Sequence, residues 1–267
     1  MSYNYKTMIY PDGTVEHRIF QGCVAEERKS VEKVKWISRV DEASGEIKQV
    51  DSEFPDIERS LSSIKHSNRC SRNRSKNMII EYARANTWDW FCTFTYNPDV
   101  VDSFDYQACY KKLYTWLNNL QKRKAPDIKY LGVPEQHKSG RWHFHVLMAN
   151  TYGLDIVPSP VKGVFNINGW KYGFSTATPV KDTQRVSTYI TKYITKDLVE
   201  HTQGQHRYIK SRNLERASEC TYLVEPEQLD ALKLELIAKG CHFKDVSTPY
   251  LGHVVYIQES RDNCEKY

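Results

Sequence analysis

The chain has 267 residues, a formal net charge of +5, and is 40% hydrophobic, 12% aromatic and 27% charged. That length accommodates one catalytic domain with an appendage, or two small domains, and 18 Tyr with 6 Trp exclude a chain disordered throughout, because such chains lack aromatics. No apolar run approaches the roughly 18 residues that span a membrane, no apolar stretch follows Met1 as in a secretory signal, and seven cysteines without a CxxC pair speak for a reducing compartment rather than a disulfide framework or zinc knuckle.

Residues 1–57 read as short strands. Lys6 to Tyr10, the turn Pro11-Asp12-Gly13 and Val15 to Phe20 predict a hairpin, and Lys33 to Val40 with Glu46 to Val50 a second one around Ala43-Ser44-Gly45. This stretch carries no catalytic motif and reads as an all-β extension. A basic run follows: Arg59, Lys65, Arg69, Arg72, Arg74 and Lys76, with no acid from Ser60 to Ile80, leading into a helix that ends near Ala85. Such a run is either a solvated helix face or a surface for phosphates.

Trp88 to Tyr96 is rich in aromatics and threonine and is stopped by Asn97-Pro98, which predicts a strand. A helix is expected from Phe104 to Lys124, because Leu113, Trp116, Leu117 and Leu120 fall at i, i+3, i+4 and i+7, with Lys111, Lys112, Lys122, Arg123 and Lys124 outside the stripe. Ile128 to His137 and Arg141 to Ala149 predict a hairpin around Lys138-Ser139-Gly140. An irregular stretch with Pro158 and Pro160 leads to a strand at Tyr172 to Val180 and a helix from Thr183 to Leu198; beyond Tyr222 come a helix at Glu225 to Lys239 and a strand at Gly252 to Gln258. The order predicts an α+β fold, an antiparallel ferredoxin-like sheet with helices packed on one face. It divides into an N-terminal β extension (1–57), a central domain (58–220) and a C-terminal α/β extension of that domain (221–267).

Two constellations carry chemistry. In Trp142-His143-Phe144-His145-Val146, strand alternation puts both imidazoles on one face and the apolar residues on the other. An isolated His-x-His is most often a pair of surface histidines, but a turn centred on Ser139 places Glu135 directly across from His143 on the same face. Two histidines and a carboxylate with open coordination positions suit magnesium or manganese acting on a phosphate better than a closed zinc site; a one-residue slip would break the set. His137, on the face of Glu135, is a subsidiary candidate. The second constellation is the tandem YxxK of Tyr189 to Lys196. At helical spacing Tyr189 and Tyr193 are neighbours, as are Lys192 and Lys196, while Ile190, Ile194 and Leu198 hold the helix on the sheet. The plainer account is two core tyrosines with snorkelling lysines. The functional account is two phenolic nucleophiles, each with an ammonium that helps form the phenolate.

In order along the chain, Phe91-Cys92-Thr93-Phe94-Thr95-Tyr96, then His143-Phe144-His145, then Tyr189 to Lys196 resemble the three motifs of the HUH endonuclease superfamily on its replication-initiator branch, in the tandem-tyrosine form of phage and plasmid rolling-circle proteins. The resemblance covers about residues 69–215 and includes Arg207-Tyr208-Ile209-Lys210-Ser211-Arg212, similar to a basic stretch after the tyrosine helix. It implies the HUH nuclease fold, a metal held by His143, His145 and Glu135, and attack on single-stranded origin DNA by tyrosine with a 5′-phosphotyrosine link. It further implies Tyr193 as first nucleophile, Tyr189 as second, and Lys192 and Lys196 neutralising charge. Thr93 and Thr95 are read as shaping the sheet and the DNA groove. DNA contacts are expected from Arg69, Arg72, Arg74, Lys76, Arg207, Lys210 and Arg212. No G-x-x-x-x-G-K-[ST] occurs, so a separate helicase and polymerase are expected from a bacterial host, in its cytoplasm. The competing readings are a transposase of the same superfamily, disfavoured by the second tyrosine, and a non-catalytic protein that binds single-stranded nucleic acid by stacking.

Overall fold

The computed structural model describes residues 2–25, 57–194, 198, 202, 205–248 and 252–259. The chain divides into two compact units, one built from both ends of the chain and the other from Ser67–Ser218 together with Tyr10–Gly13. The chain opens with the expected hairpin, β1 (Ser2–Ile9) and β2 (Val15–Ala25), paired antiparallel so that Ile9 faces Val15. The second hairpin expected at 33–50 lies outside the described residues.

A long helix, α1 (Ile57–Arg84), carries the basic run and buries Ile79, Tyr82 and Ala83 at i, i+3 and i+4. The larger unit then follows the sequence reading with small changes of boundary: β3 (Trp90–Phe94), α2 (Tyr106–Arg123), β4 (Lys129–Gln136) and β5 (Trp142–Ala149). Asp105 starts α2, its carboxylate accepting from the Gln107 N–H at 2.8 Å. The predicted stripe buries Leu113, Leu117 and Leu120, with Tyr106 and Cys109 extending it, while the Trp116 indole N–H donates to the Gly169 carbonyl at 2.9 Å. Two three-residue strands, β6 (Ile156–Pro158) and β7 (Phe165–Ile167), fill the stretch read as irregular, followed by β8 (Ser175–Pro179), α3 (Thr183–Ile190) and a two-residue β9 (Ile209–Lys210). These strands form one sheet in the order β6-β7-β8-β3-β5-β4-β9, which makes the unit α+β with an antiparallel sheet.

The helices do not share one face of this sheet. Phe94 and Phe144 are cross-strand partners, and α2 covers their side through the contacts Phe94–Trp116 and Tyr106–Phe144. Phe91 and His145 point the other way, where α3 lies against them through Tyr189 and, three residues past its end, Tyr193. The physical reason is that the central strands are apolar on both faces at one end: Val133 and Leu147 are fully buried on the α3 side, as Phe144 and Val146 are on the α2 side, so both faces need cover.

The helix expected from Thr183 to Leu198 is shorter. After Ile190 it tightens into a 3₁₀ turn at Thr191–Tyr193, and Ile194, at φ −84° and ψ 75°, leaves helical geometry. Thr191 turns its hydroxyl back onto the Thr188 carbonyl at 2.7 Å, and such back-bonding next to β-branched residues weakens the regular ladder.

Beyond this unit come β10 (Ser218–Tyr222), α4 (Pro226–Ala238), β11 (His242–Thr248) and β12 (Gly252–Glu259). They join the N-terminal hairpin in a five-stranded sheet ordered β10-β1-β2-β12-β11, with Leu229 and Leu236 of α4 packed on Ile19, Val255 and Ile257. The two end segments, separate extensions in the sequence reading, thus contribute strands to one sheet.

Candidate active site

The β4–β5 hairpin has the register that the sequence predicts. Glu135 pairs with His143 and Val133 with His145. The turn that sets this register closes through Gly140 N–H to His137 O and His137 N–H to Arg141 O, both 2.8 Å, with Gly140 at φ +85°. A side chain on that glycine would be strained, so the residue type helps fix which face Glu135 occupies.

On this face Glu135 Oε2 lies 2.6 Å from His143 Nε2 and 2.7 Å from His145 Nε2. Among the described residues these three form the one group of histidines, cysteines and carboxylates whose ligand atoms all fall within 4.8 Å of one another. Burial works to raise the Glu135 carboxyl, but hydrogen bonds from His145 and His143 outweigh it and hold the group below its ordinary value. Burial pushes His145 down to about 4, against the hydrogen bond it donates to Glu135, so its imidazole is neutral at pH 7. Imidazole nitrogens and an ionised carboxylate are donors a divalent cation accepts, and the residues present fit such an ion. His137 is not part of the group; its Nδ1 meets the Ser139 hydroxyl at 3.0 Å.

The tyrosine pair lies against the cluster. The Tyr193 ring stacks on His145 with centroids 3.6 Å apart and planes 16° from parallel. Its hydroxyl donates to the Tyr189 oxygen at 3.0 Å. Burial, together with the hydrogen bond to Tyr189 and the nearby Glu135 carboxylate, pushes the Tyr193 phenol up from its ordinary value. The sequence reading has an ammonium favouring each phenolate; instead Lys192 sits over the face of the Tyr189 ring, 4.5 Å from its centroid, and does not offset the rise at Tyr193. Lys196 lies outside the described residues.

Two residues of β3 complete the arrangement. Phe91 stacks with His145 at 5.6 Å and meets Tyr189 edge-on at 5.4 Å. Thr93, paired across the strands with His145, brings its hydroxyl to 3.1 Å from His145 Nδ1. Sequence reasoning gives Thr93 only a shaping part, because the contact depends on β3–β5 register, a relation between residues 52 apart in the chain. A groove of about 590 Å³ opens beside Tyr189 and Thr93, bounded by Phe91, Thr176, Thr178, Lys181 and Arg185.

The basic residues are placed differently from this cluster. On α1, Arg69 and Arg74 are exposed and Arg72 and Lys76 half-buried. Arg207 donates to the Ser71 hydroxyl, Lys210 lies over the Tyr82 ring at 4.8 Å, and Arg212 is exposed. Among the described residues none of them hydrogen-bonds to Glu135, His143, His145 or the two tyrosines.

Residues 89–198 match the family model of the replication-associated protein ORF2 group. That span contains the histidine pair, Glu135 and both tyrosines. Neither the curated proteins nor the solved structures contain a match. Among the described residues no helix is long and apolar enough to cross a membrane.

Proposed function

We propose that this chain is an HUH-type replication initiator that nicks single-stranded origin DNA, holds the 5′ end as a phosphotyrosine and later rejoins the strand, as in rolling-circle replication. The observation that carries the reading is the stacking of Tyr193 on His145, which sets a phenol beside a two-histidine, one-carboxylate cluster. His143, His145 and Glu135 would hold magnesium or manganese, which when bound supplies Lewis-acid polarisation of the scissile phosphate. Tyr193 is the first nucleophile because its ring lies on a ligand of that cluster, whereas Tyr189 is 42% exposed and reaches it through Tyr193.

In the cleavage step the Tyr193 oxygen forms a bond to phosphorus and the bond from phosphorus to the 3′-oxygen breaks. The phenolic proton is relayed through the Tyr189 hydroxyl, which accepts it and gives up its own proton to solvent, and the departing 3′-oxygen takes up a proton from solvent. The phosphoester is conserved, so attack by a 3′-hydroxyl reverses the step without a nucleotide cofactor. Tyr189, 3.0 Å away, would carry out a second cleavage while the first tyrosine remains occupied. The groove beside Tyr189, lined by Thr176, Thr178, Lys181 and Arg185, would take the strand next to the scissile phosphate. The exposed cations of α1 and Arg212 would contact phosphates farther along. Host helicase and polymerase would supply unwinding and synthesis in a bacterial cytoplasm.

The test is incubation with tiled single-stranded oligonucleotides from the replicon that encodes the chain, with Mn²⁺ present. The expected products are a shortened 5′ fragment ending in a 3′-hydroxyl and a protein-linked 3′ fragment, both lost on chelation and in H143A/H145A. Retardation of the DNA without any covalent product would replace the enzyme by a binding protein, and cleavage insensitive to chelator would remove the metal.

A further inference from the structure

We infer that Thr93 is a positioning residue for the metal site, fixing the orientation and tautomer of His145; this rests on the metal reading of the Glu135, His143 and His145 cluster. The two histidines are supported differently. His143 meets Glu135 through Nε2 and touches the His145 and His137 rings at 5.1 and 6.3 Å, contacts that engage Nε2 and the ring rather than Nδ1. His145 is 7% exposed and has three further restraints: Phe91 against its ring, Tyr193 stacked on it at 3.6 Å, and the Thr93 hydroxyl 3.1 Å from Nδ1.

The chemistry of a hydroxyl is what the position needs. With Nε2 facing the Glu135 carboxylate at 2.7 Å, the ring proton belongs on Nε2, and Nδ1 accepts from the Thr93 O–H. When Nε2 gives its lone pair to a cation, the proton must sit on Nδ1, and the Thr93 oxygen then accepts it. A hydroxyl rotates to serve both states; a carboxylate would serve only the second and an ammonium only the first. Ligating histidines ordinarily have such a partner on the other nitrogen, and its loss typically weakens metal binding by about 10–100-fold. Thr93 is 3.1 Å from Nδ1, the ring nitrogen opposite the one that meets Glu135, so it would act through His145 rather than on an ion or substrate. His145 is thus the rigid ligand of the pair and His143 the adaptable one.

The experiment measures Mn²⁺ affinity by calorimetry on the full chain without DNA, comparing wild type, T93V, T93S and H143A. Valine keeps the β-branched shape that suits β3 and removes only the hydroxyl; should T93V fail to fold, T93A carries the same comparison. The expected result is a loss of about 10-fold or more in T93V, near-complete recovery in T93S, and the same thermal melting of the two variants in chelator. Wild-type affinity in T93V, or equal loss in T93S, overturns the inference and leaves the metal site standing. Absence of Mn²⁺ binding by the wild type overturns both.

Discussion

Replacing Glu135 by Gln separates the carboxylate's part in metal binding from its part in the fold. The side chain is 35% exposed and its Oε2 accepts from both imidazoles, at 2.6 and 2.7 Å. Glutamine keeps the shape and one carbonyl acceptor but removes the only anion of the cluster. In the metal-free protein the change exchanges charge-assisted hydrogen bonds for neutral ones at a partly solvated site, which costs about 1 kcal/mol of stability. Towards a divalent cation the loss is larger. Removing a group that merely orients a ligand costs about 10–100-fold, so removing the anionic ligand should cost at least about 100-fold in Mn²⁺ affinity, or about 2.7 kcal/mol. Urea unfolding in chelator and Mn²⁺ titration followed by electron paramagnetic resonance read the two quantities on the same preparation. An E135Q protein that binds Mn²⁺ within about a factor of three of wild type, well short of the tenfold that 1.4 kcal/mol represents, would refute the assignment of Glu135 as a ligand, whatever its stability.

Three further outcomes are expected. Y193F should abolish the first nick while retaining Mn²⁺ affinity, because the stacked ring stays, whereas Y189F should nick and fail mainly in joining; equal loss of nicking in both, scored on gels, would mean that the phenols exchange roles. G140A should destabilise the chain by about 1 kcal/mol, since Gly140 sits at φ +85°, and a wild-type urea midpoint would show that the turn does not hold the hairpin register. Replacing Lys181 and Arg185 together by Ala should flatten the salt dependence of oligonucleotide binding by about 1.4 in log–log slope, about 0.7 per lost phosphate contact; an unchanged slope would take the strand out of the groove beside Tyr189.

Much of the site is legible in the sequence because it is local. The pairing of Glu135 with His143 follows from a short hairpin whose turn residues are recognisable, and period-two alternation then assigns faces through Trp142, Phe144 and Val146. The helix stripe of α2 is equally local. What escapes is what depends on distant partners. β6, β7 and β9 are two or three residues long and exist because neighbours offer hydrogen bonds, as β4 does for Ile209 through Gly132. The pairing of β2 with β12 joins Phe20 to Val254, partners from opposite ends of the chain that no periodicity announces. The shortening of α3 depends on where one threonine hydroxyl turns, and the contact of Thr93 with His145 on which strand lies beside β5. The resemblance marks Arg207 as a DNA contact, while its hydrogen bond to the Ser71 hydroxyl joins residues 136 apart in the chain and is not legible in the sequence.

The most direct test is to identify the residue joined to DNA. After cleavage of a single-stranded substrate, trypsin cuts following Arg185, Lys192 and Lys196, so Tyr189 and Tyr193 fall on separate peptides, 186–192 and 193–196. Mass spectrometry should find a nucleotide 5′-phosphate attached to the peptide beginning at Tyr193 after the first nick, and on the peptide containing Tyr189 once a second cleavage has occurred. An adduct on any other peptide, or free 5′-phosphate ends with no peptide attached, would contradict the account.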